Sequence, residues 1–256
     1  MPDVPLTVPR ESFDAERVRR LMAETSVAVI IPARNEASTI GAVLDAVLSD
    51  RDVIDDVVVV DDHSNDDTAT VASRHGARVV TPHSHGGKGN AMATGLAATA
   101  SDIAVFLDAD VLNTGRDYVA RLVQPLVESA EIELVKGYYE RPLHHMPTGG
   151  GRVTELTARP ILSLLYPGLG EIRQPLAGET AGRRSVFDAI DLEPEYGVEI
   201  ALLIDVAAKF GVRSLAQVDL GIRRHRNRPL EELRPMAVDV LLAALTRYGV
   251  DVPLEP

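Results

Sequence analysis

Asp108 and Asp110 stand one residue apart at the end of the apolar run Ile103-Ala-Val-Phe-Leu. A run this short and rich in β-formers reads as a strand buried on both faces, as in a parallel sheet. Val111-Leu-Asn-Thr-Gly115 reads as the loop that follows. Both carboxylates therefore fall at the carboxyl end of a central strand, the edge where open α/β sheets bind ligands. Two hard oxygen ligands there suit Mg2+ or Mn2+ carrying a diphosphate. Taken alone, an Asp-x-Asp after a strand is also an ordinary solvent-edge feature, so its weight depends on what accompanies it.

Six other groups of residues accompany it. Pro32-Ala33-Arg34-Asn35-Glu36 follows a first strand, and Asp61-Asp62-His-Ser-Asn-Asp-Asp67-Thr ends a second, at the same sheet edge as Asp108. Their acidic and amide groups can hydrogen-bond a ribose and a base, although Asn35, Ser64 and Asp66 are each also good helix caps. Gly86-Gly-Lys88-Gly-Asn90 opens a helix, where glycines allow close backbone approach and the N-terminus favours anions. It is neither a P-loop nor a dinucleotide fingerprint, since the rest of the first pattern is missing and the loop follows the third strand. Gly149-Gly-Gly151-Arg152-Val-Thr154 combines a glycine turn, a bidentate phosphate donor and a hydroxyl. Glu199 sits in an apolar stretch at a helix start, where the dipole alone would stabilise a carboxylate. Arg223 to Arg228 holds four Arg around His225, which by itself reads as a solvated basic face.

The composition narrows the class. The chain has 256 residues, 45% hydrophobic and 25% charged, as in ordinary globular proteins. It has no Cys, which excludes disulfides, zinc–thiolate sites and thiol nucleophiles and suits a cytoplasmic location. Met1-Pro-Asp-Val-Pro carries no signal-peptide pattern. No apolar run reaches the roughly 18 residues of a membrane helix, so no membrane partner is expected. The net charge of −12 argues against nucleic-acid binding. Charge is uneven, with seven Asp between Asp52 and Asp67, and a basic cluster within an acidic protein points to a small anionic ligand.

Strand and helix patterns alternate along the chain. Strands are predicted at Val27–Ile31, Asp56–Val60, Arg78–Thr81, the run ending at Asp108, and Glu133–Tyr139. Helices are predicted over Ala37–Leu48, Asp67–His75, Gly87–Ala100 and Asp117–Ser129, the first capped by Asn35 or Ser38. This order demands a Rossmann-like, mostly parallel sheet with right-handed crossovers and helices on both faces. Residues 1–25 read as an extension with one helix, about Phe13 to Glu24, and Pro142 to Gly151 as a mobile loop. The second half predicts a helix near Arg152–Tyr166, short strands near Pro175 and Ala181, a helix Glu199–Phe210 and a strand Ser214–Asp219. A terminal helix Leu230–Tyr248 follows, with Pro235 in or near its first turn. That helix carries Met236, Val238, Val240, Leu241, Leu242, Ala244 and Leu245, more than one apolar stripe needs, which predicts a homodimer.

The three strand-end segments Ile30–Glu36, Val59–Thr68 and Phe106–Asp110 resemble the nucleotide-sugar half of a GT-A glycosyltransferase over residues 26–139. Gly149–Leu156, Gln174-Pro-Leu-Ala-Gly-Glu179, Tyr196–Ile200 and Gln217–Gly221 followed by His225 extend the likeness to about residue 228. Together they resemble the glucosyl-3-phosphoglycerate synthase family. The resemblance implies a GT-A fold with the domain at 26–228, split into a nucleotide-sugar half (26–139) and an acceptor half (140–228), and a C-terminal helix at 229–256. It implies a retaining, Mg2+- or Mn2+-dependent transfer of glucose from UDP-glucose to 3-phosphoglycerate. Carried over by motif, Asp110 and His225 hold the metal, with Asp108 facing metal and ribose. Pro32, Ala33, Arg34, Asn35, Glu36, Asp62, Lys88, Ala109 and Leu176 line the nucleotide sugar. Gly151, Arg152 and Thr154 grip the acceptor phosphate, and Glu199 lies by the transferred sugar. Lys88, aided by Arg223 or Arg224, steadies the leaving diphosphate.

Alternatives share parts of this pattern. A mannosyl-3-phosphoglycerate synthase using GDP-mannose, or a transferase to a polyprenyl phosphate, would keep the fold, although the lipid version normally needs an apolar membrane-facing segment. A nucleotidyltransferase would want its Gly- and Lys/Arg-rich loop directly after the first strand, where this chain has Pro32–Glu36. A catalytically dead nucleotide-binding module is opposed by the intact Asp108, Asp110, Lys88 and His225.

Overall fold

A computed structural model of the chain describes residues 3–83, 86–143, 146–149, 151–224 and 229–252. The strands are β1 (Leu6–Val8), β2 (Val27–Ala33), β3 (Asp56–Asp61), β4 (Arg78–Val80), β5 (Ile103–Phe106), β6 (Leu134–Glu140), β7 (Pro142–Leu143), β8 (Met146–Gly149), β9 (Thr180–Arg183) and β10 (Leu215–Ile222). The helices are α1 (Ala15–Leu21), α2 (Ile40–Val47), α3 (Thr68–Arg74), α4 (Gly87–Ala97), α5 (Tyr118–Glu128), α6 (Arg159–Leu165), α7 (Arg184–Phe187), α8 (Val198–Phe210) and α9 (Leu230–Arg247).

Eight strands form one sheet in the order β1-β10-β6-β9-β5-β2-β3-β4. All pairings are parallel except those of β9, which runs antiparallel to both β5 and β6. The expected mostly parallel frame is present, and both faces are covered. One face packs Val27, Val29, Ile31, Val57 and Val59 against α1, α2, α3 and α5. The other packs Ile30, Val58, Val60, Ala104 and Phe106 against α4, α6, α8 and α9. Successive side chains of β2 thus enter opposite layers, as the pleat requires, and the continuous apolar runs follow from burial on both sides.

Four local expectations change. Leu6–Val8, predicted as part of an extension, adds a parallel edge strand to β10. No strand forms near Pro175; residues Gln174 to Gly178 make a turn instead. The helix near Arg152 begins with a π-helical stretch, Thr154–Ala158, before α6. Part of the Pro142–Gly151 loop pairs as the antiparallel ribbon β7–β8, while His144, His145 and Gly150 lie outside the described residues. Pro235 falls just past the first turn of α9, near it as expected.

The sheet topology fixes where chemistry can occur. From β2 the chain steps to β3 and β4 on one side, then returns to β5 on the other, making a switch point beside the carboxyl end of β2. The carboxyl ends of β2, β3, β5, β6 and β10 share this edge. Reversal of β9 brings its amino end, and so Glu179, to the same edge.

Candidate active site

A cleft of about 790 Å³ opens along this edge. Apart from Arg224, every described residue that the resemblance names lines it, Arg223 included. The others are Pro32, Ala33, Arg34, Asn35, Glu36 and Asp62; Lys88, Asp108, Ala109 and Asp110; and Gly151, Arg152, Thr154, Leu176 and Glu199. His225 lies outside the described residues.

The loops after β2 and β3 hold each other. Asn35, with φ of 57°, donates its N–H to Ser64 Oγ at 2.9 Å, and its Oδ1 accepts the N–H of Asn65 at 2.8 Å. The N–H of Ala37 reaches Asp66 Oδ2 at 3.1 Å, and that of Glu36 reaches Thr68 Oγ1 at 2.9 Å. Neither Asn35 nor Ser38 caps α2, which starts at Ile40 without a side-chain cap. Cross-loop stapling uses these groups in place of capping, and it fixes the backbone of both loops at the sheet edge.

Charges at the centre of the cleft interlock. Lys88 Nζ lies 2.7 Å from Asp108 Oδ1 and 2.5 Å from Glu199 Oε1. Arg223 Nη2 bonds Asp108 Oδ2 at 2.7 Å and Asp110 Oδ1 at 3.2 Å. Its Nη1 bonds Glu179 Oε2 at 2.6 Å and Tyr139 Oη at 2.7 Å. Burial works against the Lys88 ammonium, but Asp108 and Glu199 outweigh it and hold its pKa above the ordinary lysine range. Burial likewise opposes the charged form of Asp108, yet Lys88 and Arg223 prevail and its carboxyl lies well below the usual range. Glu179 goes the other way: burial pushes it up and Arg223 offsets this only in part. Of the two arginines considered from sequence, Arg223 is the buried one, while Arg224 is exposed.

Three further charged or polar groups were not singled out from sequence. Glu179 was seen only within a motif, Lys136 sits in the apolar strand Leu134-Val-Lys-Gly-Tyr-Tyr, and Tyr139 follows it. Charged residues inside a buried run were the available signal, because such groups are buried only when paired. Lys136, 1% exposed, donates to the Ala177 carbonyl at 2.6 Å and Thr180 Oγ1 at 2.8 Å. It thereby holds the Gln174–Gly178 turn, whose Gly178 rests on Asp108: a Cβ there would meet Asp108 Oδ1 at 1.9 Å. Helix α9, treated from sequence as a separate terminal element, also walls the cleft with Leu233 and Met236. Part of its apolar excess is therefore spent inside the molecule.

The donor set fits a divalent cation on a diphosphate. Both oxygens of Asp108 are held by cations, whereas Asp110 makes one 3.2 Å contact and lines the cleft. Mg2+ is commonly bound by one or two carboxylates with substrate phosphates completing the shell. Among the described residues no three acidic or histidine side chains cluster as a metal site.

A nucleotide-type sheet edge, an Asp-x-Asp pair and a lysine at a helix start define a GT-A glycosyltransferase. The model of glycosyl transferase family 2 matches residues 28–142. A glucosyl-3-phosphoglycerate synthase of Mycobacterium tuberculosis is 44% identical over 243 residues, 89% of this chain and 75% of that protein. A crystal structure of the M. tuberculosis synthase with Mn2+, UDP-glucose and phosphoglyceric acid has a TM-score of 0.89 at 40% identity, covering 97% of this chain and 89% of that one. Another, with Mg2+ and UDP, has a TM-score of 0.89 at 40% identity, covering 96% and 88%. The chain belongs to the glucosyl-3-phosphoglycerate synthase family. Among the described residues no helix is long and apolar enough to cross a membrane.

Proposed function

We propose that the protein transfers glucose from UDP-glucose to 3-phosphoglycerate with retention at the anomeric carbon. The observation that carries this reading is the single cleft in which Lys88, Asp108 and Asp110 face the same space as Arg152 and Thr154. A donor diphosphate lies against the first group and an acceptor phosphate against the second, so the two substrates meet at the sugar. Pro32 to Glu36, Asp62, Ala109 and Leu176 line the nucleotide sugar, with residues 26–139 as the donor half and 140–228 as the acceptor half. Asp110, with Asp108 beside it and His225, holds Mg2+ or Mn2+. The cation supplies Lewis-acid neutralisation of the departing diphosphate.

The chain's own groups do the rest. Lys88 stays charged and stabilises the leaving UDP oxygens. Glu199 lies by the sugar, but its carboxylate is engaged by Lys88, which favours front-face attack over a covalent glucosyl–enzyme. The anomeric C–O bond to UDP breaks, the acceptor hydroxyl oxygen bonds to the anomeric carbon, and its proton passes to the leaving phosphate oxygen. Cytoplasmic work fits a cysteine-free chain. A homodimer through α9 is part of the proposal, since Val238 and Leu241 remain 56% and 38% exposed; light scattering at micromolar concentration that gives a monomer mass would remove it.

The test is a product assay across UDP- and GDP-sugars with 3-phosphoglycerate, glycerate and a polyprenyl phosphate as acceptors, with and without EDTA. Glucosyl-3-phosphoglycerate from UDP-glucose, lost in EDTA, is expected. GDP-mannose as the better donor, or full activity in EDTA, would overturn the reading.

A further inference from the structure

Arg247, the last residue of α9, ties three segments together. Its Nε lies 2.8 and 2.9 Å from the two oxygens of Asp205 in α8. Its Nη1 lies 3.0 Å from Glu193 Oε2, in the loop between α7 and α8. The Arg247 side chain is 18% exposed, so these pairs are partly desolvated and worth more than a solvated surface bridge. On the far side of that loop lies the first turn of α4, which carries Lys88. The N–H of Asn90 donates to the Pro194 carbonyl at 3.1 Å. Gly89 is packed so tightly that a Cβ would sit 1.7 Å from the Glu193 carbonyl oxygen, and a Cβ on Gly87 would sit 2.3 Å from Glu195 Oε2. The loop then continues into Glu195 and Tyr196, both of which line the cleft.

We infer that Arg247 is a positioning residue for the donor side of the cleft: through Glu193 it presses the 193–196 loop onto the Lys88 turn. The loop has no regular secondary structure of its own from Glu193 to Tyr196. Its placement therefore depends on these end contacts. Loss of the clamp lets Glu195 and Tyr196 drift and loosens the glycine turn that presents Lys88. Displacements of about 1 Å far from the chemistry can cost up to about a hundredfold. Asp205 anchors the guanidinium, so the clamp is built from α8 and α9 and reaches the donor without touching it.

The inference rests on the donor assignment above, and its test keeps the two separable. Arg247→Met keeps the aliphatic stem, Glu193→Gln removes the other charge, and Arg247→Lys restores a cation. Hydrogen exchange at the Asn90 amide reads the clamp without any substrate. Exchange there should be about tenfold or more faster in Arg247→Met and Glu193→Gln, with Arg247→Lys partly restored. In the transfer assay the KM for UDP-glucose should rise about tenfold, and the KM for 3-phosphoglycerate should change less than twofold. Should Arg247→Met not fold, Glu193→Gln alone carries the same two readouts. Unchanged Asn90 exchange in the variants overturns the inference. So does a donor KM that stays at the wild-type value while only stability falls. If the wild type uses another nucleotide sugar, the function reading fails, while faster Asn90 exchange and a raised KM for that donor still support the clamp.

Discussion

Arg223 and Glu179 form an ion pair that water scarcely reaches: Nη1 lies 2.6 Å from Oε2, with the side chains 2% and 1% exposed. The same guanidinium binds Asp108 and Asp110 through Nη2. One arginine therefore joins the strand-end pair of β5 to the amino end of the reversed strand β9. A buried pair of this kind contributes little over an apolar pair of the same shape, but breaking it leaves a charge stranded.

Arg223→Met should accordingly lose about 3–5 kcal/mol of stability in denaturant unfolding. The double variant with Glu179→Gln should recover part of that loss, because the stranded carboxylate is then gone. A double variant no more stable than Arg223→Met would mean that something other than the unpaired Glu179 sets the cost.

Gly178→Ala should act on Asp108. The added methyl would fall 1.9 Å from Oδ1 and 2.3 Å from Cγ. The turn cannot retreat easily, because Lys136 holds the Ala177 carbonyl. Overpacking of this kind costs about 1–3 kcal/mol. Asp108 must also move off Lys88 or Arg223, so transfer should fall at least about tenfold, in keeping with the cost of small misplacements. Wild-type kinetics in this variant would show that the position of Asp108 does not matter to turnover.

Lys136 gives stability a pH dependence of unusual sign. Burial lowers its pKa from 10.5 to about 8, more than Glu199 can offset. Between those values the unfolded chain holds a proton that the folded chain has lost, so stability rises with pH. Full relief amounts to about 3 kcal/mol. Above pH 10 the trend reverses, since burial pushes the Tyr139 hydroxyl up from 10.0 to about 12 and the folded chain then keeps a proton the unfolded chain gives up. Denaturant unfolding of the wild type and Lys136→Met from pH 7 to 10 measures this: the wild type should gain on the variant as pH rises. A constant difference would remove the assignment.

The sheet was legible because its strands are buried on both faces, and unbroken runs such as Val57–Val60 and Ile103–Phe106 can be little else. That Pro32–Glu36, Asp62, Asp108 and Asp110 share one cleft was legible for the same reason, as they follow directly where those runs stop. Thr180–Arg183 was legible as a strand but not as the antiparallel member between β5 and β6, because Thr-Ala-Gly-Arg has no apolar run and takes its place only from its neighbours. Leu6–Val8 is short and largely exposed, so no local pattern marks it. Arg223 was noticed only beside Arg224: adjacent residues carry the same sequence signal, and only the fold buries one and exposes the other. The apolar residues of α9 suggested a second copy of the chain, yet Val240, Ala243 and Ala244 are buried and Leu233 and Met236 face the cleft. A sequence pattern states that a face is covered without stating by what.

Arg152→Ala should separate the acceptor from the donor. Gly151, at φ of 71°, turns the chain in the left-handed region so that Arg152 enters the cleft at the start of a helical stretch, with Thr154 two residues on and 2% exposed. A charge-assisted hydrogen bond is worth about 1.5–3 kcal/mol, so the KM for 3-phosphoglycerate should rise about tenfold to a hundredfold or slightly more. The KM for UDP-glucose should stay within twofold. Unphosphorylated glycerate supplies the sharper arm. If Arg152 serves the phosphate, wild type and variant should use glycerate equally poorly, because the group that the side chain recognises is already missing. A variant that loses as much with glycerate as with 3-phosphoglycerate would place Arg152 elsewhere in the reaction. Equal losses for donor and acceptor would mean that the 151–154 turn shapes the whole cleft, not the phosphate subsite alone.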